Sequence, residues 1–574
     1  MPKPDLILLH APSVYDFRNV PQLYGPASDL VISTPAFEMY PIGFSSIVEH
    51  LEQSGCHVRL VNLALRMLRS ARFDAEKFIA GLNAPVFGID LHWLVHAHGA
   101  IEVAKLVRKH HPKAKIIMGG FSASYFHREL INYPEVDFVM RGDSTEELML
   151  RLVRAVTKGD AVGNIPNLIW KDASGIHDNG LTHVPDNISN VMQNHYLAVA
   201  RSVLRFFDFT STIPVKEWLN YPVTAVLTCK GCENDCVFCG GARSAVRRTV
   251  GRERTAFRTA QDIFNDIKNI SKISRGPIFV LSDIRMGGEE RAYELLRLLK
   301  RHPVRNTIDF ELFTPPTPAF IEAIADAKPG FAIDISPHSH DINVRRAMGL
   351  DYTNEELETG ISAALAAGAS RFEVYFMIGL PEQTPESVEE TLDYCDYLYR
   401  KFHADKRLLL FIGPLSPFLD PGSPGFEDPE KYGYRLIHRT LEEHRNALVR
   451  PTWGETLNYE TKWMSRAQIV ESTYTAIERL MGLKQQYGLV SQRQADRQTD
   501  RIRKVREMEK HISEIVKSGS DDGRLAALKP EIDLINGVKS LDRRQIKVPM
   551  GLTRLRYLST LVEMIKKWKL LEGK

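Results

Sequence analysis

Cysteine is scarce in this chain of 574 residues, which has only six, and four of the six fall between positions 229 and 239. Thiols so few and so unevenly placed exclude a disulfide framework, and without a secretory signal they point to a metal site in a reducing compartment. Charge of one sign is lacking too. The formal net charge is +3 and the basic residues are spread along the chain, which removes the electrostatic footprint of a nucleic-acid binder. No run of eighteen apolar residues occurs, and Met1-Pro2-Lys3-Pro4-Asp5 lacks the apolar core of a signal peptide, so the expected location is the cytoplasm. What is present suits a large globular enzyme: 44% hydrophobic and 25% charged residues, over a length equivalent to about four domains.

From residue 1 to 165, apolar strands alternate with helix patterns. Asp5–His10, His57–Leu63, Val86–Leu91, Ala114–Met118 and Phe138–Met140 read as strands, with Ile42–Gln53, Ala100–Lys109 and Thr145–Val156 as helices. Such alternation specifies an α/β unit, a Rossmann-like parallel sheet with helices on both faces that takes ligands at the carboxyl ends of its strands. Residues 166–216 are expected to form a structured linker, with a hairpin of Asn167–Trp170 and Gly175–His177 and then the aromatic stretch Tyr196–Phe209. A second strand–helix series occupies 217–445. Its six strands are Val223–Leu227, Ile278–Leu281, Thr307–Phe313, Phe331–Ile335, Arg371–Ile378 and Leu408–Ile412, separated by helix patterns such as Ala260–Ile273, Glu289–Arg301 and Asn354–Ala367. After the last strand a proline-rich stretch, Gly413 to Ser423, either lines a substrate entrance or is an ordinary connection.

Residues 446–574 read as a helical, irregular C-terminal domain. Gln492–Lys517 is expected to be a solvated charged helix. In Leu552–Leu571 the residues Leu552, Leu555, Leu558, Val562, Ile565 and Trp568 share one face, opposite Arg554, Lys566, Lys567 and Lys569. Such a basic amphipathic helix packs on its own protein or makes peripheral contact with an acidic membrane surface.

The clustered cysteines follow the first strand of the second series, in the spacing Cys232-x3-Cys236-x2-Cys239. A short thiolate loop wraps one face of an iron–sulfur cluster, each cysteine binding a different iron. Three ligands on a four-iron cubane leave one iron open. Cys229-x2-Cys232 with Cys236-x2-Cys239 is alternatively a four-thiolate zinc set, although zinc sites separate their two turns by a longer insert than three residues. Gly240 and Gly241 let the backbone pass close to a ligand.

This spacing, with Phe238 as the aromatic before the last cysteine, resembles the signature of the radical S-adenosylmethionine (SAM) superfamily. The resemblance implies that Cys232, Cys236 and Cys239 hold a [4Fe-4S] cluster whose open iron chelates the amino and carboxylate groups of SAM. It also implies reductive cleavage of SAM to methionine and a 5′-deoxyadenosyl radical, with an electron donor such as flavodoxin or ferredoxin. Many members carry serine at the position of Cys229, so Cys229 is expected to be a spare thiol. The six strand–helix units resemble the partial (β/α)6 barrel of that superfamily, with the active site at the strand carboxyl ends. Phe238, Gly240, Glu311, Ser336, and Gly379 with Glu382 from the stretch Phe376–Thr384, are the SAM-site residues so implied. The superfamily often has an acidic residue where this chain has His338.

In the first series, Pro41-Ile42-Gly43, Phe87-Gly88-Ile89-Asp90, Met118-Gly119-Gly120 and Val136–Asp143 resemble, in order, the cobalamin (B12)-binding domain that precedes the radical domain in the class B type of these enzymes. Gly119, Gly120, Ser122, Ser124, Arg141 and Gly142 are then expected near cobalamin. A nucleotide-binding or purely structural sheet shows the same strand–Gly-Gly pattern. Asp90-x-His92 partly matches the Asp-x-His-x-x-Gly motif that places a histidine on cobalt. Residue 95 is valine, however, and the dipeptide follows the third strand rather than the first, so base-off cobalamin with no protein histidine beneath the metal is expected. His92, His96 and His98 are expected to be packing or pocket polar groups.

The joint resemblance implies a cobalamin-binding domain at 1–165, a linker at 166–216, a radical SAM domain at 217–445 and the helical region at 446–574. It implies methylation of an unactivated carbon by way of methylcobalamin. Radical cyclisation, rearrangement or carbon–carbon coupling on a lipid or small metabolite is the alternative on the same cofactors. A cobalamin-binding sensor or carrier with a structural cluster belongs to another class and predicts that no 5′-deoxyadenosine forms.

Overall fold

The computed structural model describes residues 3–26, 33–188, 205–218, 222–415, 418–518 and 522–537. The amphipathic segment Leu552–Leu571, the stretch 196–204 and Ser416-Pro417 lie outside the described residues.

The first sheet is built on β1 (Leu6–His10), β2 (Val58–Asn62), β3 (Val86–Asp90), β4 (Lys115–Gly119) and β5 (Phe138–Met140), all parallel, in the spatial order β2-β1-β3-β4-β5. Every residue of β1 and β3 is buried, as a strand covered on both faces requires, and their near-continuous apolar sequences reflect this. Helix α1 (Ile42–Gln53) covers one face, and α2 (Ala97–His110) the other. Helix α3 (Glu146–Lys158) lies beside α1 and stops at Gly159, which takes the left-handed conformation that ends helices. The hairpin β6 (Leu168–Asp172) and β7 (Gly175–Asp178) pairs antiparallel to β5 and extends this sheet to seven strands. A hairpin carries its own register, so sequence pattern alone placed it in the connection; the exposed edge of β5 draws it into the sheet.

The second sheet begins with β8 (Thr224–Leu227), followed by the short pair β9 (Cys229–Lys230) and β10 (Ala256–Phe257). It continues with β11 (Ile278–Leu281), β12 (Ile308–Leu312), β13 (Ala332–His338), β14 (Arg371–Ile378) and β15 (Leu408–Pro414). Six strands lie in the order β15-β14-β13-β12-β11-β8, all parallel, with helices between them. The period of two decides which residues meet the helices. Ile308, Phe310 and Leu312 of β12 and Ile333 and Ile335 of β13 are buried in the apolar layer, each contributing about 1.5–3 kcal/mol. Asp309, Glu311, Asp334 and Ser336 alternate with them and occupy the other face of the same strands.

The C-terminal chain returns to both sheets. Gln22 donates to the carbonyls of Leu448 and Arg450, and Arg445 pairs with Glu102. Helix α4 (Arg466–Gln486) packs on β15, and α5 (Gln492–Lys517) packs on α4. The expectation that 492–517 is a solvated helix is corrected here. Ala495, Ile502, Val505, Met508, Ile512 and Ile515 form a buried stripe at helical spacing, which the density of charge on the other face conceals in the sequence.

Candidate active site

The apolar strand β8 delivers the chain to β9, and Gly231, at φ +89°, turns it into the cysteine loop. The loop donates to its own sulfurs: the Asn234 N–H reaches Cys232 Sγ at 3.4 Å and the Gly241 N–H reaches Cys239 Sγ at 3.3 Å. Burial pushes the Cys236 thiol up to about 11 and the Cys239 thiol higher still, so the set holds thiolates only against a bound cationic group. Among the described residues, the cysteine sulfurs do not gather within 4.8 Å of one another as the ring nitrogens of His10, His92 and His96 do. One tetrahedral zinc ion with bonds of about 2.3 Å needs sulfurs about 3.8 Å apart. Cys229, on β9, borders the same cavity, and its thiol lies 3.5 Å from the Gly231 carbonyl oxygen.

The barrel strands present their polar faces to the same space. Glu311 accepts a hydrogen bond from the Ser282 N–H at 2.6 Å, and burial raises its carboxyl above the usual range. In register beside it lie Asp334 of β13 and then Glu373 of β14. Asp334 is raised well above a normal carboxyl by burial, then by Asp309 and Glu373, and its Oδ1 has no partner among the described residues. Tyr375 donates to Glu373 at 2.5 Å. Sequence reasoning missed Asp334, Glu373 and Tyr375; the available signal was an acidic residue at the inward position of each of three successive strands. His338 closes β13 at φ +67°, where β13 shifts register against β14. Its ring meets Phe238 edge-on at 5.3 Å, burial lowers its pKa to about 4, and Nδ1 has no partner among the described residues.

The other wall comes from the first sheet. Leu8, Gly88, Ile117 and Met140, one from each of β1, β3, β4 and β5, floor a groove flanked by Ile47 of α1 and Met149 of α3. Ser46 ties the two helices by donating to Glu146 at 2.5 Å. Glycine keeps the groove open: a Cβ on Gly88 would lie 2.7 Å from Leu8 Cδ2, and one on Gly120, at φ +116°, would lie 2.4 Å from His92 Cα. A deep apolar slot with glycines at its rim fits a flat nucleotide tail and a corrin edge. Gly120→Val combines about 1–3 kcal/mol of backbone strain with a collision against residue 92. It is expected to lower the corrin retained per chain by about tenfold or more, with cluster absorbance unchanged; equal corrin content in mutant and wild type would remove Gly120 from the site.

One cavity of about 910 Å³ joins the two walls. Cys232, Cys236, Cys239, Phe238, Glu311 and Ser336 line it from the barrel, and Gly119, Gly120 and Gly142 from the first sheet. Six residues named from the sequence do not line it. Ser122 is buried in the helical turn after Gly120, where its neighbour Ser124 joins the Gly120 carbonyl to the Gly142 N–H. Arg141 turns away to Asp178 at 3.3 Å. The Gly240 N–H is committed to the part-buried Asp420 carboxylate at 3.0 Å. Gly379 sits behind the wall, its N–H donating to Gln383 at 2.8 Å, and Glu382 is an exposed turn residue at φ +62°. Gln383, which the sequence gave no reason to single out from its neighbours, also donates to the Met377 carbonyl and holds this turn.

A latch holds the walls together. Arg252 donates to both oxygens of Asp143 at 2.6 and 2.8 Å, with both side chains almost fully buried. Lys230, beside the cysteine loop, donates to the Asp143 carbonyl and to Ser144 Oγ.

A family model described as B12 binding domain matches residues 28–150, and one described as Radical SAM superfamily matches 226–395. A curated relative, the hopanoid C-3 methylase of Methylococcus capsulatus, is 21% identical over 282 residues, covering 48% of this chain; the chain spans about half the length of that relative. Among solved structures, the radical SAM methyltransferase TsrM of Kitasatospora setae superposes with a TM-score of 0.54 at 15% identity, covering 83% of this chain and 89% of that one. The cobalamin-dependent SAM radical enzyme OxsB gives 0.54 at 13% identity, covering 98% and 84%. These likenesses extend the shared fold across both sheets. Among the described residues no helix is long and apolar enough to cross a membrane.

Proposed function

We propose that this chain, which carries a B12-binding domain followed by a radical SAM domain, is a cobalamin-dependent radical SAM enzyme that methylates an unactivated carbon. The observation that carries this is the single cavity onto which both the three-cysteine loop and the glycine rim of the first sheet open. When bound, the [4Fe-4S] cluster and SAM supply an adenosyl radical that takes hydrogen from carbon, and cobalamin supplies the methyl group.

The chain's own residues position and exclude. Cys232, Cys236 and Cys239 hold three irons and leave the fourth for SAM. Glu311 and Ser336 offer polar contacts at the strand ends, and Phe238 packed on His338 shields the loop from water. Leu8, Ile117 and Met149 give the opposite wall an apolar surface. That surface suits the corrin edge and its nucleotide tail, and a reacting carbon embedded in hydrocarbon is in line with the hopanoid named for the curated relative. The domain limits 217–445 and 446–574 belong to this assignment, with the first domain extended from 165 to residue 178 because the hairpin joins its sheet, as do a flavodoxin- or ferredoxin-type reductant and a cytoplasmic site of action. Membrane contact through residues 552–571 would bring a lipid substrate to the cavity.

The test is to purify the protein without oxygen, add hydroxocobalamin, reductant and methyl-labelled SAM, and measure bound corrin, 5′-deoxyadenosine, S-adenosylhomocysteine and label on the corrin. Deoxyadenosine together with labelled corrin is the expected result. Deoxyadenosine with bound, unlabelled corrin would replace methylation by cyclisation, coupling or rearrangement, and corrin without any deoxyadenosine would leave a binding protein.

A further inference from the structure

The order of the first sheet reverses at β1 and β3, which are neighbours although β2 separates them in sequence. Ligands of such sheets bind outside the strand ends at this point. Here β1 ends on His10 and β3 on Asp90, and the two are joined: His10 Nδ1 lies 3.0 and 3.1 Å from the two Asp90 oxygens. His10 Nε2 lies 3.0 Å from the Phe37 carbonyl oxygen. Carboxylate and carbonyl oxygens only accept, so both His10 nitrogens carry protons and the ring is an imidazolium.

Asp90 Oδ2 also accepts from His92 Nδ1, at 2.6 Å. With the proton fixed on Nδ1, the lone pair of His92 is on Nε2, and no protein group among the described residues takes it. The side chain is 26% exposed and lines the cavity. Its backbone is pinned by Gly120, where any Cβ would strike it. His96 packs behind, its ring 4.9 Å from that of His92, with Nδ1 donating to the Ala11 carbonyl.

Three histidines this close invite assignment as a free-standing metal site. His10 has no lone pair left to give, so the trio cannot supply three ligands. What remains is one imidazole lining a cofactor cavity, with Nε2 uncommitted among the described residues and Nδ1 donating to a buried carboxylate, the arrangement that orients metal-ligating histidines. We propose, resting on the cobalamin assignment above, that His92 Nε2 is an axial ligand to the cobalt of the corrin bound at the carboxyl edge of the first sheet, with Asp90 and His10 as its positioning residues. This replaces the sequence expectation of no protein histidine on cobalt. Val95 and the strand number argued against a known motif, whereas the hydrogen bonding concerns only where the nitrogen points.

The test is electron paramagnetic resonance of the cobalamin-loaded protein reduced to cobalt(II), prepared with natural-abundance and with 15N-labelled histidine. Axial nitrogen-14 splits each cobalt line into three and nitrogen-15 into two. The expected result is a triplet that becomes a doublet on labelling and is lost in His92→Ala while cluster absorbance and corrin content persist. A triplet unchanged by labelling assigns the bond to the corrin's own base and overturns the proposal, as does bound corrin with no nitrogen splitting; both leave the cobalamin assignment standing. A doublet surviving His92→Ala assigns another histidine and overturns it too. A protein that retains no corrin overturns the proposal together with the assignment it rests on.

Discussion

Replacing any one of Cys232, Cys236 or Cys239 by alanine is expected to abolish the visible absorbance of the reconstituted cluster and reduce SAM cleavage to background, whereas Cys229→Ala retains both. The difference follows from position. The three sulfurs expected to bind iron lie on one loop that faces the cavity, and burial makes each thiol a poor thiolate unless iron is bound. Cys229 also borders the cavity, but its backbone is fixed in the short β9–β10 ladder through its pairing with Phe257, so it is expected not to replace a lost ligand. Iron and sulfide content, absorbance near the usual cluster band and 5′-deoxyadenosine yield measure the outcome. Loss of the cluster on Cys229→Ala alone would show that the loop uses four thiolates and would reopen the zinc alternative.

Arg252→Met is expected to give the second largest effect, in two separable parts. The pair Arg252–Asp143 is almost wholly buried, and removing one partner leaves an uncompensated carboxylate, which costs about 3–5 kcal/mol. Burial works against ionisation of Asp143, but Arg252 and Lys230 hold its carboxyl below the usual range. A depressed carboxyl contributes stability that is present above the unfolded value of about 3.9 and is lost as pH falls through the folded value. Wild type should therefore lose stability on acidification below about pH 4 more steeply than Arg252→Met. The second part concerns coupling. The latch fixes the corrin wall relative to the cysteine loop, and a displacement of about 1 Å can cost about 10²-fold in a reaction between two held groups. Deoxyadenosine formation, which needs only the barrel, should persist in the mutant at permissive temperature while label transferred from SAM to corrin falls by about that factor. A proportional fall in both products would mean that the latch stabilises the protein without setting the distance between the sites.

Much of the architecture was legible in the sequence because its signals are local. Strict spacing gave Cys232, Cys236 and Cys239, and apolar runs of four to eight residues gave the strands; β11 and β14, for example, have the limits the pattern implies. Gly119 and Gly120 were found because glycine beyond a strand marks close approach. Ser122, Ser124, Arg141, Gly240, Gly379 and Glu382 were drawn in by adjacency to such motifs. Whether a residue next to a motif faces the ligand depends on side-chain direction, which sequence adjacency does not encode.

What the sequence determined by itself, then, was the order of two α/β units and the chemical kind of site each builds, because backbone period, turn residues and ligand spacing are properties of short segments. Only the tertiary structure decided that both sites share one cavity, that Asp143 meets Arg252 across the chain, and that Asp90 turns His92 towards that cavity between a protonated His10 and a free ring nitrogen. These depend on which strand ends lie side by side. Strand order is set by long-range packing, and residues 10, 90 and 92 carry no shared pattern until the sheet brings them together.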